Sequence, residues 1–389
     1  MRAALISLPP PGEEALPLIA GKSVAQRQLL FAREMGCTAV IAHGGGASAE
    51  AIALRHAAEN AGMRYQLISN SHALPGAIAD DDTLLVLQPR ILPESRQAME
   101  LLRAEGNRML VISAGPGISG GFERIDLERA WGGALTLPGR WLGVLSSLPE
   151  DAAPHAALLR IALQHRLPEA RLPDELLDNG SWAVIKDVAA ARTIEARWLQ
   201  SHAGKAPASA ISRRLAQQII TNTGAWLLER RVSRPLLFAL WLGLLGGGLA
   251  AALFERPTLA FALVSLSAPV FETFVTLSRL VMAPFGTVAR WPLLRWSSDA
   301  ALIALGFFAI DSLWYRAAFP PFVLVAALAL SDRSAVPTLV EPLRDRGLLA
   351  ALIALLTVFI STEAAVMIAA STLLAALFLS PSGTRLTRN

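Results

Sequence analysis

The chain of 389 residues is 53% hydrophobic and only 17% charged, with a mean hydropathy of +0.45. That excludes a disordered chain and is too apolar for an ordinary soluble one, so a membrane-embedded part is expected beside a further domain. The single cysteine, Cys37, excludes a disulfide framework and any Cys-rich metal centre and fits a reducing compartment. The net charge of +4 comes almost wholly from arginine, since Lys22, Lys186 and Lys205 are the only lysines among 35 basic residues. Such a balance is as expected of membrane-flanking arginines as of a nucleic-acid surface.

The first apolar run, Ala3–Leu8, stops at Pro9-Pro10-Pro11. It is too short for a secretory signal and reads as the first strand of a domain that stays in the cytosol. Thr38–His43, Arg64–Ile68, Thr83–Gln88 and Arg108–Ser113 are further predicted strands, with helices predicted at 23–35, 48–62 and 94–105. Strand and helix alternate, as in an α/β domain with a Rossmann-like sheet and crossover connections. From 122 to 200 the pattern is less regular, with helices near 155–166 and 188–202.

Residues 203–234 form a transition. The linker Ser201–Pro207 leads into a helical segment carrying Arg213, Arg214, Arg230, Arg231 and Arg234. Arginines on an amphipathic helix just before an apolar span suit anionic headgroups. Trp226 is the one aromatic residue there, so nucleic acid is not an expected partner.

Pro235–Phe254 holds no charge before Glu255 and is long enough to cross a bilayer core of about 30 Å. Further apolar stretches lie at 257–283, 299–317, 319–332 and 347–379. The last would be about 50 Å long as one helix, so it divides near Ser361-Thr362-Glu363 into two shorter spans. With the N-terminal domain inside, Arg290, Arg295, Arg333, Arg344, Arg346, Arg385 and Arg388 fall on the inner side, whereas the alternate loops hold chiefly Arg256 and Arg316. Six spans with both termini cytosolic therefore follow the positive-inside rule, whereas five would place the arginine-bearing tail outside. The expected organisation is a cytosolic α/β domain over 1–202, a linker and juxtamembrane helix over 203–234, an all-α polytopic membrane domain over 235–380, and a cytosolic tail over 381–389. The expected location is a bacterial inner membrane.

Gly44, Gly45 and Gly46 follow a predicted strand and precede a helix, where backbone N–H groups can receive a phosphate, but an ordinary strand-to-helix turn is the favoured reading. Gly115–Gly121 is read as a loop. Lys22, in Pro17–Ser23 just ahead of a helix, is a weak phosphate candidate against a plain surface lysine. The histidines lack zinc spacing, and no GxSxG is present. In the membrane region ionisable residues are functional candidates by default. Glu272 and Arg279 lie seven apart, on one helix face and about 10 Å from each other. Asp299 opens the third predicted span, as a site residue or an N-cap, and Asp311 lies about 18 Å deeper along it. Glu363 sits at the last hairpin.

The stretch Pro17-Leu18-Ile19-Ala20-Gly21-Lys22-Ser23-Val24-Ala25-Gln26-Arg27-Gln28-Leu29-Leu30 resembles a segment of sugar-phosphate nucleotidyltransferases. The arginine-bearing helix ending in Arg230-Arg231-Val232-Ser233-Arg234-Pro235 before six spans is similar to CDP-alcohol phosphotransferases, and the order of parts resembles a fusion of the two. Leu8-Pro9-Pro10-Pro11-Gly12 stands where such nucleotidyltransferases carry LAAGxGxR. Phe271–Arg279 and Trp296–Asp299 stand where the phosphotransferases carry DGxxAR and further carboxylates that hold two metal ions. The resemblance implies transfer of a phosphoalcohol from a CDP-linked donor in polar-lipid synthesis, with Mg2+ or Mn2+ at a divergent site near Glu272, Arg279, Asp299 and Asp311, and a homodimer through the membrane domain. The missing signatures favour a non-catalytic membrane binding or partner subunit instead. A small-molecule transporter is a third reading, without a detectable internal repeat.

Overall fold

The computed structural model describes residues 1–10, 17–150, 152–204, 206–230, 232–286, 292–332 and 341–378, with the backbone alone for 292–295. Arg290, Arg333, Arg385 and Arg388, the side chain of Arg295, and the tail 381–389 lie outside the described residues. The chain divides into two units, one of Met1–His202 with Ala283–Gly286 and the other of the remaining residues from Ala203.

In the first unit β1 (Arg2–Ser7), α1 (Val24–Glu34), β2 (Ala39–His43), α2 (Ala49–Asn60), β3 (Arg64–Ile68), α3 (Leu74–Ala77) and β4 (Thr83–Leu87) come first. They are followed by β5 (Ile91–Pro93), α4 (Arg96–Arg103), β6 (Met109–Ser113), α5 (Ala114–Gly120) and β7 (Arg129–Pro138). The unit closes with α6 (Pro154–Gln164), β8 (Glu169–Arg171), α7 (Glu175–Asp178), β9 (Trp182–Val184) and α8 (Val188–His202). Seven strands form one Rossmann-like mixed sheet in the order β3-β2-β1-β4-β7-β6-β8. β7 alone runs antiparallel to its neighbours. The near-continuous apolar strands are buried on both faces, which is what a mostly parallel sheet requires. One face packs Leu29, Phe31 and Leu54, and the other Leu74, Leu142 and Leu158. The capping box of Ser23 and Gln26 starts α1, and Ser48 caps α2.

Two expectations for this unit are corrected. Gly115–Gly121 is no loop: the segment forms α5 and ends on Gly121 in the left-handed conformation. The irregular stretch after 122 contains β7, a long strand inside the sheet.

The second unit is all helical: α9 (Ile211–Glu229), α10 (Ser233–Leu253), α11 (Pro257–Met282), α12 (Pro292–Ala309), α13 (Trp314–Ser331), α14 (Arg346–Leu356) and α15 (Thr362–Phe378). α9 turns Ser212, Ala216, Ile220 and Gly224 inward and leaves Ile211, Leu215, Ile219 and Trp226 exposed. Arg230 lies over the Trp226 ring at 4.3 Å. The other six helices close on Trp241, Phe261, Leu305, Leu324, Ile353 and Val366.

Three of these helices, α10, α11 and α13, are long and apolar enough to cross a membrane, while 296–309 within α12, α14 and α15 are shorter apolar helices. The break before Thr362 falls where the sequence placed it. The third span expected at 299–317 is instead a helix over Pro292–Ala309, because a proline suits the first turn and the chain leaves the helix at Asp311-Ser312.

Candidate functional site

In the first unit a cavity of about 230 Å³ opens at the carboxyl ends of β1 and β2. The connections run outward from β1 to β2 and β3, and then return to β4 on the other side of β1. Such a reversal leaves a crevice where open α/β sheets bind ligands. Ser7, Gln28, His43, Glu50, Arg90 and His155 supply its polar groups, and Pro9, Pro10, Pro89 and Pro154 line part of its wall. Burial pushes the His43 imidazole down from its ordinary value. Burial, and then the facing His43, take His155 down to about 4. Glu50 is raised by burial, against a hydrogen bond from the Ser23 hydroxyl.

In the second unit a cavity of about 400 Å³ is walled by α9, α11, α12 and the segment that leads into α14. Its charged lining is Arg213, Glu272, Asp332, Glu341, Arg344, Asp345 and Arg346, with Ser209, Ser212, Ser267 and Ser298 between them. Arg213 Nε lies 3.4 Å from Glu272 Oε2. The Arg346 guanidinium donates to Asp299 Oδ2 at 3.0 Å and to Asp332 Oδ2 at 3.3 Å. Asp345 Oδ1 accepts from the Ser212 hydroxyl at 2.6 Å and caps α14 through the Gly347 and Leu348 amides. Each of these carboxylates faces a donor, and among the described residues no three His, Cys, Asp or Glu side chains are grouped to hold a metal ion. All such residues after His202 in the sequence lie among the described ones.

The structure brings two predicted residues to this cavity and separates two others. Glu272 lines it, and Asp299 meets it through Arg346. Arg279 is exposed in the last turn of α11 and does not line the cavity. Asp311 is not deep in a span: α12 ends at Ala309, so Asp311 is exposed between α12 and α13. Asp299 lies inside α12 and is not its N-cap. Glu363, near the start of α15, lies 3.3 Å from Arg316. Ser212, Asp332 and Asp345 were not singled out in the sequence. Asp345 ahead of an apolar run carried an N-cap signal that points to its place.

Lys22 closes a tight turn whose Ala20 and Gly21 have positive φ, its backbone bonding reciprocally with that of Ile19. It does not line the first cavity. Gly44, Gly45 and Gly46 all have positive φ. A Cβ at Gly45 would lie 2.9 Å from the Leu8 side chain, and the Gly44 amide donates to the Ile68 carbonyl oxygen at 3.3 Å. That geometry serves the close passage of two chain segments.

The fold thus defines a two-part protein: a Rossmann-like domain with a crevice at its strand reversal, followed by a membrane-type helical domain with a polar cavity. No family model matches the chain, and no curated protein matches it in sequence. Solved structures similar to it include a UDP-glucose pyrophosphorylase from Acinetobacter baumannii, at 11% identity over 52% of this chain and 94% of that one, with a TM-score of 0.38. Another is a UDP-glucose pyrophosphorylase complexed with UDP-glucose, at 12% identity over 52% of this chain and 99% of that one, with a TM-score of 0.37.

Proposed function

We propose that the protein is a non-catalytic membrane subunit of polar-lipid synthesis whose helical domain holds a phosphate-bearing headgroup without transferring it. One observation carries this reading: Glu272, Asp299, Asp332 and Asp345 are engaged by Arg213, Arg346, Ser212 and backbone amides. A two-metal phosphotransfer site needs carboxylates that face the ions together. These residues do not fit Mg2+ or Mn2+ in that way. Arg344, with Ser209 and Ser298 beside it in the lining, instead supplies donors suited to a phosphate. Among the described residues Arg344 has no ion pair, which leaves its guanidinium for a ligand. In this reading the arginines of α9 meet anionic headgroups, the N-terminal domain and the tail face the cytosol, and copies associate through the membrane helices.

Thermal stability of the purified protein in detergent tests the proposal. Phosphatidic acid is expected to raise the unfolding temperature without added metal, and Arg344→Ala to remove most of that rise. A second reading, a divergent CDP-alcohol phosphotransferase, draws on the gathering of Glu272, Asp332, Glu341 and Asp345 at one cavity. Mn2+-dependent stabilisation by CDP, lost in Glu272→Ala or Asp299→Ala, would establish that reading and overturn the first.

A further inference from the structure

The seven-stranded sheet finishes its two edges differently. β8 closes one edge with three residues, of which Glu169 and Arg171 are exposed and charged, and Arg129 donates to Glu169 Oε2 there at 2.6 Å. Short, charged edges protect a sheet against pairing with another chain. β3 closes the other edge with five residues, no proline and an unbroken register to β2. Its one charge is Arg64, at the first position. A groove of about 450 Å³ lies between β3 and α2, lined in part by Ala51, Ile52, Arg55, Glu59, Tyr65 and Leu67. Ile52 and Leu67 are 50% and 43% exposed. An unguarded edge with apolar side chains beside it is a surface for strand pairing.

The backbone fixes which residues are available. The Arg64 amide donates to the Thr38 carbonyl oxygen, and the Gly44 amide to that of Ile68. Arg64, Gln66 and Ile68 therefore direct their main-chain groups to β2, and by alternation Tyr65 and Leu67 direct theirs outward. Among the described residues nothing meets those outward groups. The side chains of Tyr65 and Leu67 lie on the α2 side, where the Tyr65 hydroxyl donates to the Ala51 carbonyl oxygen at 3.4 Å. A second copy of β3, antiparallel about a two-fold axis through Gln66, satisfies this edge. Tyr65 then exchanges both main-chain bonds with Leu67 of the copy, and Leu67 with Tyr65 of the copy, so that each ring also packs on a leucine. Arg64 falls opposite Ile68 and Gln66 opposite Gln66, so no like charges are opposed. α2 runs antiparallel to its own copy, and its groove face carries one cation and one anion, Arg55 and Glu59, paired at 2.8 Å within the helix. Two such faces meet without net charge. From this self-complementarity we infer that β3 is an association edge through which two copies of the chain join their sheets into one. The inference stands on the first unit alone and does not rest on the reading of the helical domain.

Disulfide cross-linking of the full chain in isolated membranes tests it, since Cys37 is the only cysteine and is buried. Directly opposed residues in this register have Cα atoms about 4.5–5.5 Å apart, within disulfide reach, whereas residues two positions out of register are more than about 7 Å apart. Gln66→Cys is therefore expected to give a covalent dimer on mild oxidation. Tyr65→Cys and Leu67→Cys are each expected to give little alone and to cross-link to one another when the two chains are co-expressed. Leu67→Lys added to Gln66→Cys should lower the yield roughly fivefold, because it sets a charge against the Tyr65 ring of the copy. The co-expressed pair keeps the test decisive if Gln66→Cys does not fold. No covalent dimer in protein shown to be folded by circular dichroism, or a yield that Leu67→Lys leaves unchanged, would overturn the assignment. Equal yields from all three single variants would also overturn it, by showing that copies collide at random or meet through the membrane helices alone.

Discussion

Arg346, the first residue of α14, donates to Asp299 in the interior of α12 at 3.0 Å, and the same guanidinium reaches Asp332 at the end of α13. One cation thus joins three successive helices. The Arg346 and Asp299 side chains are 13% and 15% exposed, so the pair is largely removed from water. Removing one partner of such a pair leaves a charge uncompensated, which costs about 3–5 kcal/mol. Arg346→Leu is therefore expected to destabilise the helical domain by about 3 kcal/mol. Asp299→Leu added to it should recover part of the loss, because one of the two stranded carboxylates is then gone and only Asp332 is left. Reversible unfolding in mixed micelles measures both, and equal losses in the single and double variants would refute the pairing.

Gly347 sits where α9, α11 and α14 meet. Its amide donates to Asp345 Oδ1 at 2.9 Å, and a Cβ there would lie against the Ser212 hydroxyl and 2.8 Å from the Ala268 Cβ. Alanine ordinarily improves a helix over glycine by up to about 1 kcal/mol. At this position overpacking, at about 1–3 kcal/mol, outweighs the gain. Gly347→Ala is expected to lower the unfolding temperature. Gly243→Ala in α10, where an added Cβ would meet no neighbouring element within 4 Å among the described residues, is expected to leave it unchanged or raise it slightly, so the same scan supplies the control.

Particular residues show what the sequence revealed. β1 to β4 and β6 were legible because short apolar runs end at proline, glycine or polar turns. β7 was not, because Gly132, Gly133 and Pro138 break up the apolar pattern of 129–138. In the sheet those glycines let neighbours approach: a Cβ at Gly133 would lie 2.5 Å from Ile91 Cδ1, and one at Gly132 would lie 2.9 Å from Leu110 Cβ. The ladder to β6 shifts register there, as a bulge does. Glu272 and Asp299 stood out in the sequence because ionisable groups in apolar runs are costly, and in the structure Glu272 lines the helical cavity and Asp299 pairs with Arg346. Their neutralising partners were not legible, since Arg346 lies 47 residues beyond Asp299 and no local pattern encodes that pairing. Asp311 illustrates the opposite error, for an acid in an apolar stretch can also mark where one helix stops.

Cys37 is buried and unpaired, and burial, partly offset by Arg2, pushes its thiol up to about 12. The thiolate is the reactive form. A thiol titrating at about 12 instead of 9 holds roughly a thousandth of the thiolate at neutral pH. The native protein is expected to resist iodoacetamide at pH 8 for hours, while protein unfolded in guanidinium should label within minutes. Rapid labelling of the folded chain would show that the β-sheet core opens around this residue.

The histidines of the N-terminal cavity set a pH dependence whose sign can be worked out. His155 titrates near 6.5 in an unfolded chain and about 4 in the folded one, and His43 is lowered in the same direction. Above pH 6.5 both states are neutral at His155, and its contribution does not change with pH. Between 6.5 and 4 the unfolded chain takes up a proton that the folded chain refuses, so stability falls across that window and levels off below it. Glu50 acts oppositely, because its raised value lets the folded chain take up a proton at and just above the ordinary carboxyl range, where the unfolded chain is still ionised. The two histidines act in the same direction against this one carboxyl group. Hydrogen exchange of N-terminal domain peptides should show faster opening at pH 5 than at pH 7 once intrinsic rates are corrected. His155→Leu should remove most of that difference, and an unchanged difference in the variant would assign the acid sensitivity to His43 or to another group.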